Sequence, residues 1–233
     1  MPPSRRPAPL RRLVAAGVAV LLVLGLAACN PDPTGGKRPP APGASVPAFS
    51  YGTWAITRAD VALSWRTGCP VHWSDLTNVL VSYWGYDGKR HTGTLVVHDS
   101  VATDIRAVFR HLYDFRVQIR RIHPVEVFGA DDNRSMANNN TSAFNCRPVA
   151  GTSSWSEHSY GTAIDINPIQ NPWVRGSAVA PPAGRDWLDR DSVVPGMITR
   201  DDEVWRAFAW IGWGWGGDWS TTKDYQHFSR SGR

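Results

Sequence analysis

Ser156-Glu157-His158-Ser159-Tyr160-Gly161-Thr162-Ala163-Ile164-Asp165 is the stretch of this 233-residue chain from which the rest is best read. Tyr160–Ile166 (YGTAIDI) has the apolar content of a buried strand. Just before it, His158 stands on a polar segment, and Gly161 permits the backbone to bend between the two. Ala163 leaves space beneath, and Asp165 projects from the strand, a rigid support for a ligand side chain. A His and an Asp seven residues apart then meet at one metal ion, provided the bend folds them together. Glu157, adjacent in sequence to His158, is expected to face solvent.

Seven histidines are present, and five of them (His72, His91, His98, His111 and His123) have no distinguishing neighbours. They read as ordinary surface or core residues. His227 differs, because it closes the run Asp218–Phe228 (DWSTTKDYQHF). Two neutral imidazoles and one carboxylate around Zn2+ leave a fourth position open for water, the arrangement of a hydrolytic site. Asp224, three residues before His227, is placed to accept a proton from that water.

Outward from these segments the pattern is α+β, an antiparallel sheet with a few flanking helices. Thr77–Tyr86 (TNVLVSYWGY) alternates, Asp87-Gly88 is a hairpin turn, and Thr92–His98 returns. Asp99 or Ser100 caps a helix whose apolar face is Val101, Ile105, Val108, Phe109 and Leu112. Phe115–Ile122 (FRVQIRRI) alternates again as a strand. Residues 131–150 are polar and read as a long loop or short helical turns, and 167–184 as a Pro-rich loop. Asp201–Ile211 opens on three acids and predicts a helix, and a last strand falls near Tyr225–Phe228. Of the twelve tryptophans, Trp213, Trp215 and Trp219 precede Asp224. They either wall a cleft, with Trp215 the candidate for substrate contact, or pack the core.

The N-terminus reads as an address. Arg5–Arg12 is a basic segment, and Leu13–Ala28 is an unbroken apolar stretch, short for a membrane span and suited to a signal peptide. It ends Leu26-Ala27-Ala28-Cys29, which looks like a bacterial lipobox. Residues 1–28 are then a lipoprotein signal peptide and Cys29 the lipidated residue. The mature chain would be extracytoplasmic, anchored to the cell membrane by acyl chains. Residues 29–48 are a Pro/Gly-rich tether, and 49–233 the folded domain. The net charge of +5 does not point to nucleic acid, because residues 1–28 contain four arginines and no acid. Without those four, the 25 basic residues fall to 21 against 20 acidic ones. The expectation is a monomer with no nucleic-acid partner. With Cys29 used, Cys69 and Cys146 form an even pair in an oxidising compartment, which predicts a disulfide closing a 77-residue loop.

The stretch Ser156–Asp165 resembles, position by position, the S-x-H-x-x-G-x-A-x-D pattern of the D-Ala-D-Ala-type zinc peptidases. This group includes VanX/VanY-like carboxypeptidases and phage L-alanyl-D-glutamate endolysins. Asp224-Tyr225-Gln226-His227-Phe228 is similar to its second element, an acid, two residues and His-Phe. The resemblance extends loosely from about Gly93 to Phe228 and says little about residues 49–90. It implies the fold shared with hedgehog-type proteins and a zinc site of His158, Asp165 and His227. It also implies Asp224 as general base and peptidoglycan stem peptides as substrate. The family supplies an arginine upstream of the first ligand, for which Arg134, in Asn133-Arg134-Ser135, and Arg147, beside Cys146, are both candidates. Ser142 and Asn145 are further candidates for substrate hydrogen bonds. Aspartate as the acid resembles the L-Ala-D-Glu endopeptidases, so that bond is the first expectation. The alternatives are a VanY-type D-Ala-D-Ala carboxypeptidase and a catalytically silent cell-wall-binding module. The silent module predicts a lost ligand or base, whereas all four residues are present.

Overall fold

Alternating residues between 76 and 98 build the longest ladder of the chain. In the computed structural model, which describes residues 47–233, β1 (Tyr51–Ala55) is followed by β2 (Leu76–Trp84) and β3 (Arg90–His98). The three are antiparallel in that order, with Leu76 opposite His98 and Val81 opposite Gly93. Asp87 Oδ1 accepts from Lys89 N–H at 3.0 Å inside the hairpin turn. Val79, Val81, Tyr83, Leu95 and Val97 enter the principal core. There they meet α1 (Ala102–Asp114), which contributes Ile105, Val108, Phe109 and Leu112 as its spacing requires. The turn before α1 is capped not by Asp99 or Ser100 but by His98, whose Nδ1 accepts from Ser100 N–H at 3.2 Å.

The remaining elements are short. They are α2 (Asp132–Ala137), β4 (Ala163–Asp165), β5 (Trp173–Arg175), β6 (Ala178–Ala180), α3 (Glu203–Trp210), β7 (Gly214–Trp215), β8 (Lys223–Asp224) and β9 (His227–Ser229). Two small antiparallel sheets result, in the orders β4-β9-β7 and β6-β5-β8. The mixed α+β architecture agrees with the sequence pattern, with three local differences. Phe115–Ile122 makes no ladder: Arg116 turns the chain at φ 55°, and only Gln118 and Ile122 bridge neighbours, Trp84 and Thr141. Tyr160–Ile166 is strand only from Ala163, because Glu157–Tyr160 forms a 3-10 turn. The Pro-rich 167–184 segment contains the β5–β6 hairpin, with Val174 opposite Val179, an alternation too short to stand out among prolines.

Strand alternation sets the two sides of the β4-β9-β7 sheet. Ile164 and Phe228 point into the principal core and are fully buried. Each such side chain contributes about 1.5–3 kcal/mol by leaving water. Their neighbours Asp165 and His227, paired in register, therefore share the opposite face. A second core holds Ile56, Val61, Leu76, Val96 and Phe144, with Trp65, Trp73 and Trp155 against it. The disulfide joins it: Cys69 and Cys146 are bonded, with a Cα–Cα distance of 6.0 Å. The segments expected to be a signal peptide and a tether, and Cys29 with them, lie outside the described residues except for residues 47 and 48. Among the described residues no helix is long and apolar enough to cross a membrane.

Candidate metal centre

His158 reaches the site from its 3-10 turn, which Ser156 caps by accepting from His158 N–H at 3.3 Å. Gly161 ends the turn at φ 67°, and its carbonyl accepts from His98 N–H at 2.9 Å. Asp165 comes from the end of β4 and His227 from the start of β9. The three side chains are buried and converge, with His158 Nε2 3.2 Å from both His227 Nδ1 and Asp165 Oδ1, and His227 Nδ1 3.1 Å from the same oxygen. A tetrahedral zinc with bonds of about 2.0–2.1 Å has ligand–ligand edges of about 3.3 Å, close to all three distances.

The outer nitrogens settle the chemistry of the inner ones. His158 Nδ1–H donates to Ala143 O at 2.6 Å, and His227 Nε2–H donates to Arg233 O at 2.9 Å. Each ring thus turns a lone pair inward, the orientation that second-shell acceptors impose on metal-binding histidines. Three electron-rich atoms this close require something positive between them. In the protein alone, burial opposes a charge on His227, but the hydrogen bond and charge of Asp165 reverse this and raise it to about 9. Burial alone would raise Asp165, and the two imidazoles instead hold its carboxylate well below the usual range. A divalent cation does the same work as that proton, and the donor set of two imidazoles and one carboxylate suits zinc.

Asp224 is a further acid that acts electrostatically on this cluster. Burial pushes its carboxyl up to about 6, and the Asp165 charge adds to the rise. Its Oδ1 is buried without a hydrogen-bond partner. Gly216 allows the neighbouring loop to pack against it, since a Cβ there would fall 2.5 Å from Asp224 O.

The other candidates separate. Ser142 lies beside Asp165, with the two residues exchanging both main-chain hydrogen bonds at 2.9 and 3.1 Å. Asn145 N–H donates to His158 O, and its own Nδ2 is buried without a partner. Arg147 is tied to the ligand turn, its N–H donating to Ser159 Oγ at 3.0 Å and its carbonyl accepting from Ser156 N–H. Its guanidinium pairs with Asp132 at 2.7 Å and keeps Nε buried and unpartnered. Arg134 is exposed on α2, and its Nη1 lies by the Gly129 turn, away from the ligand turn's hydrogen bonds. Trp215 is a core residue, not a cleft wall: it is 6% exposed, donates Nε1–H to Tyr225 O at 2.9 Å and packs on Phe228. The alternation that sends Phe228 inward takes Trp215, its register partner, with it. Trp219 is the indole that lies against His227, with ring centroids 5.7 Å apart. Glu157 lines a separate recess that contains none of the three ligands.

Residues 150–230 match the family model described as D-alanyl-D-alanine carboxypeptidase. That segment, about a third of the chain, holds the three converging side chains, Asp224 and Trp219. The match supports a hydrolase of the peptidase class. Among curated proteins and among solved structures, none matches the chain.

Sequence patterns alone did not mark Trp219 apart from its neighbouring indoles. Nor did they show the acceptors Ala143 O and Arg233 O, because a main-chain oxygen leaves no residue-type signal.

Proposed function

We propose that this protein is a zinc peptidase of peptidoglycan stem peptides, with the fold that D-Ala-D-Ala peptidases share with hedgehog-type proteins. The observation that carries the reading is the trio His158, Asp165 and His227, with both imidazoles locked by main-chain oxygens so that their lone pairs converge. Bound there, zinc supplies Lewis acidity toward a peptide carbonyl and toward water. Asp224 is ionised near neutral pH, takes the proton released as water attacks, and returns it to the leaving amine. Asn145 and Arg147 are both tied to the ligand turn through their main chains, and the buried Nδ2 of the one and the guanidinium of the other are donors for the substrate carbonyl as charge develops on it. Trp219 excludes water from one side of His227.

The match over residues 150–230 favours the terminal D-Ala–D-Ala bond as the one cut. The second reading is the L-Ala–D-Glu bond, favoured by aspartate rather than glutamate at position 224. Lipidation at Cys29 and the 29–48 tether would hold the enzyme on the outer side of the cell membrane, within reach of the wall, as a monomer. Incubating zinc-loaded protein with intact muropeptides and weighing the products tests this. Loss of terminal alanine supports the first reading and cleavage after L-alanine the second. Unchanged muropeptides, at full zinc occupancy, would leave a binding module.

A further inference from the structure

Two arginines that the metal centre does not use share a recess of their own. Arg120 and Arg121 line a recess of about 380 Å3 together with Tyr86, Asn138, Asn139 and Gln170, and no acidic residue lines it. Ion pairs among the described residues engage Arg110, Arg147, Arg200 and Arg206, and leave these two out. Arg121 Nε is buried without a hydrogen-bond partner. Arg121 is half-buried and Arg120 exposed, so a buried Nε–H without a partner is joined by charge still open to solvent, and an anion in the recess would meet both.

The walls are fixed in place. Asn139 Nδ2 and Tyr86 OH both donate to Gln170 Oε1, at 2.7 and 2.9 Å. Asn139 Oδ1 accepts from Ile169 N–H, and Asn167 Oδ1 accepts from Arg120 N–H, both at 2.9 Å. These bonds engage the side-chain acceptors of Asn139 and Gln170 and leave guanidinium donors to face the recess. Asn139 and Asn167 hold left-handed φ values of 55° and 46°, a local strain that their amide bonds maintain.

Register places Arg121 on the same face as the metal ligands. Ile122 bridges Thr141 and is buried in the core, so alternation sends Arg121 to the opposite face. Ser142, which bridges Asp165, belongs to that same opposite face, as do Asp165 and its register partner His227. Arg121 is thus two chain spacings across and two residues along from Asp165, about 12 Å, a distance that an extended peptide covers in three to four residues.

We propose that the Arg120–Arg121 recess binds a free carboxylate of the substrate, two or three residues from the bond that is cut. The proposal rests on the peptidase reading of the metal centre and adds a specificity pocket to it. Stem peptides carry free carboxylates at that range, on the γ-linked D-glutamate and on diaminopimelate where that is the third residue.

The test uses zinc-loaded protein with Asp224→Asn to block turnover, alone and combined with Arg121→Gln or Arg121→Lys. Each is titrated calorimetrically with stem pentapeptides in which the glutamate or the diaminopimelate carboxyl is free or amidated. Amidating one of the two weakens binding roughly ten- to hundredfold with Arg121 present. The Arg121→Gln protein, at the same zinc content and melting temperature, binds free and amidated peptides alike, and Arg121→Lys keeps part of the discrimination. Indifference to both amidations with Arg121 present, or undiminished discrimination in Arg121→Gln, would overturn the proposal. Products from the Asp224-containing protein are followed separately by mass. Charge-dependent binding without cleavage would remove the peptidase reading and leave the pocket, and cleavage with charge-blind binding would do the reverse.

Discussion

Gly161→Ala tests whether the backbone turn that presents His158 is as constrained as its geometry implies. Gly161 has φ 67°, where an L-residue with a Cβ costs about 1–2 kcal/mol. The added Cβ would also lie 2.6 Å from His98 N and 3.0 Å from Leu76 Cδ2. Backbone must move to relieve the first contact, which breaks the His98 N–H to Gly161 O bond, worth about 0.5–1.5 kcal/mol. The sum is about 1.5–3.5 kcal/mol, or a fall in Tm of about 3–14 °C for a domain of this size. The same displacement carries the His158 ring off its bond to Ala143 O and weakens zinc binding by about 10–100-fold. Thermal unfolding followed by circular dichroism, with and without zinc, reads the first effect, and competition with a chromogenic chelator reads the second. A Tm within about 2 °C of wild type, together with unchanged zinc affinity, would refute the reasoning.

Further outcomes follow from other parts of the site. Asp224→Asn keeps zinc and loses turnover by orders of magnitude, and the wild-type rate falls as pH drops into the range where that carboxyl, raised by burial, takes up a proton. Because burial raises Asp224 above its unfolded value, its contribution to stability is present below pH 4 or so and is lost as pH rises through about 6. Zinc-free Asp224→Asn is therefore more stable than wild type at pH 8, as denaturant titration at the two pH values will show. Arg147→Gln lowers kcat/KM by about tenfold or more, whereas Arg134→Gln leaves it unchanged, since only Arg147 is bonded to the ligand turn. Reducing the Cys69–Cys146 bond costs about 3–5 kcal/mol, measurable as a shift in the urea midpoint with and without reductant.

Much of this was legible in the sequence because its periodicities are long or its residue types rare. The β2–β3 hairpin and the face of α1 follow from alternation and helical spacing, and the apolar residues that the pattern singles out are the buried ones. His158, Asp165 and His227 stood out among ordinary histidines because of their neighbours, and the structure brings all three together. What escaped has a common cause, in that each feature depends on a contact distant in sequence and carries no local pattern. Gln118 and Ile122 join the sheets by single bridges, so strand-like alternation there yields no ladder. Arg134 and Arg147 are equivalent in composition, and only the hydrogen bonds of Arg147 to Ser156 and Ser159 separate them. Trp215 and Trp219 differ through register: Trp215 pairs with Phe228 and follows it into the core.

The central claim is that His158, Asp165 and His227 hold a zinc ion through two imidazole nitrogens and a carboxylate oxygen. X-ray absorption at the zinc edge, combined with metal analysis of the purified protein and of His227→Ala, tests it most directly. The account predicts one zinc per chain in a nitrogen and oxygen shell with two imidazoles, and no retained zinc in a His227→Ala protein that is still folded. Full occupancy in His227→Ala, or a wild-type protein that takes up no zinc, would contradict it.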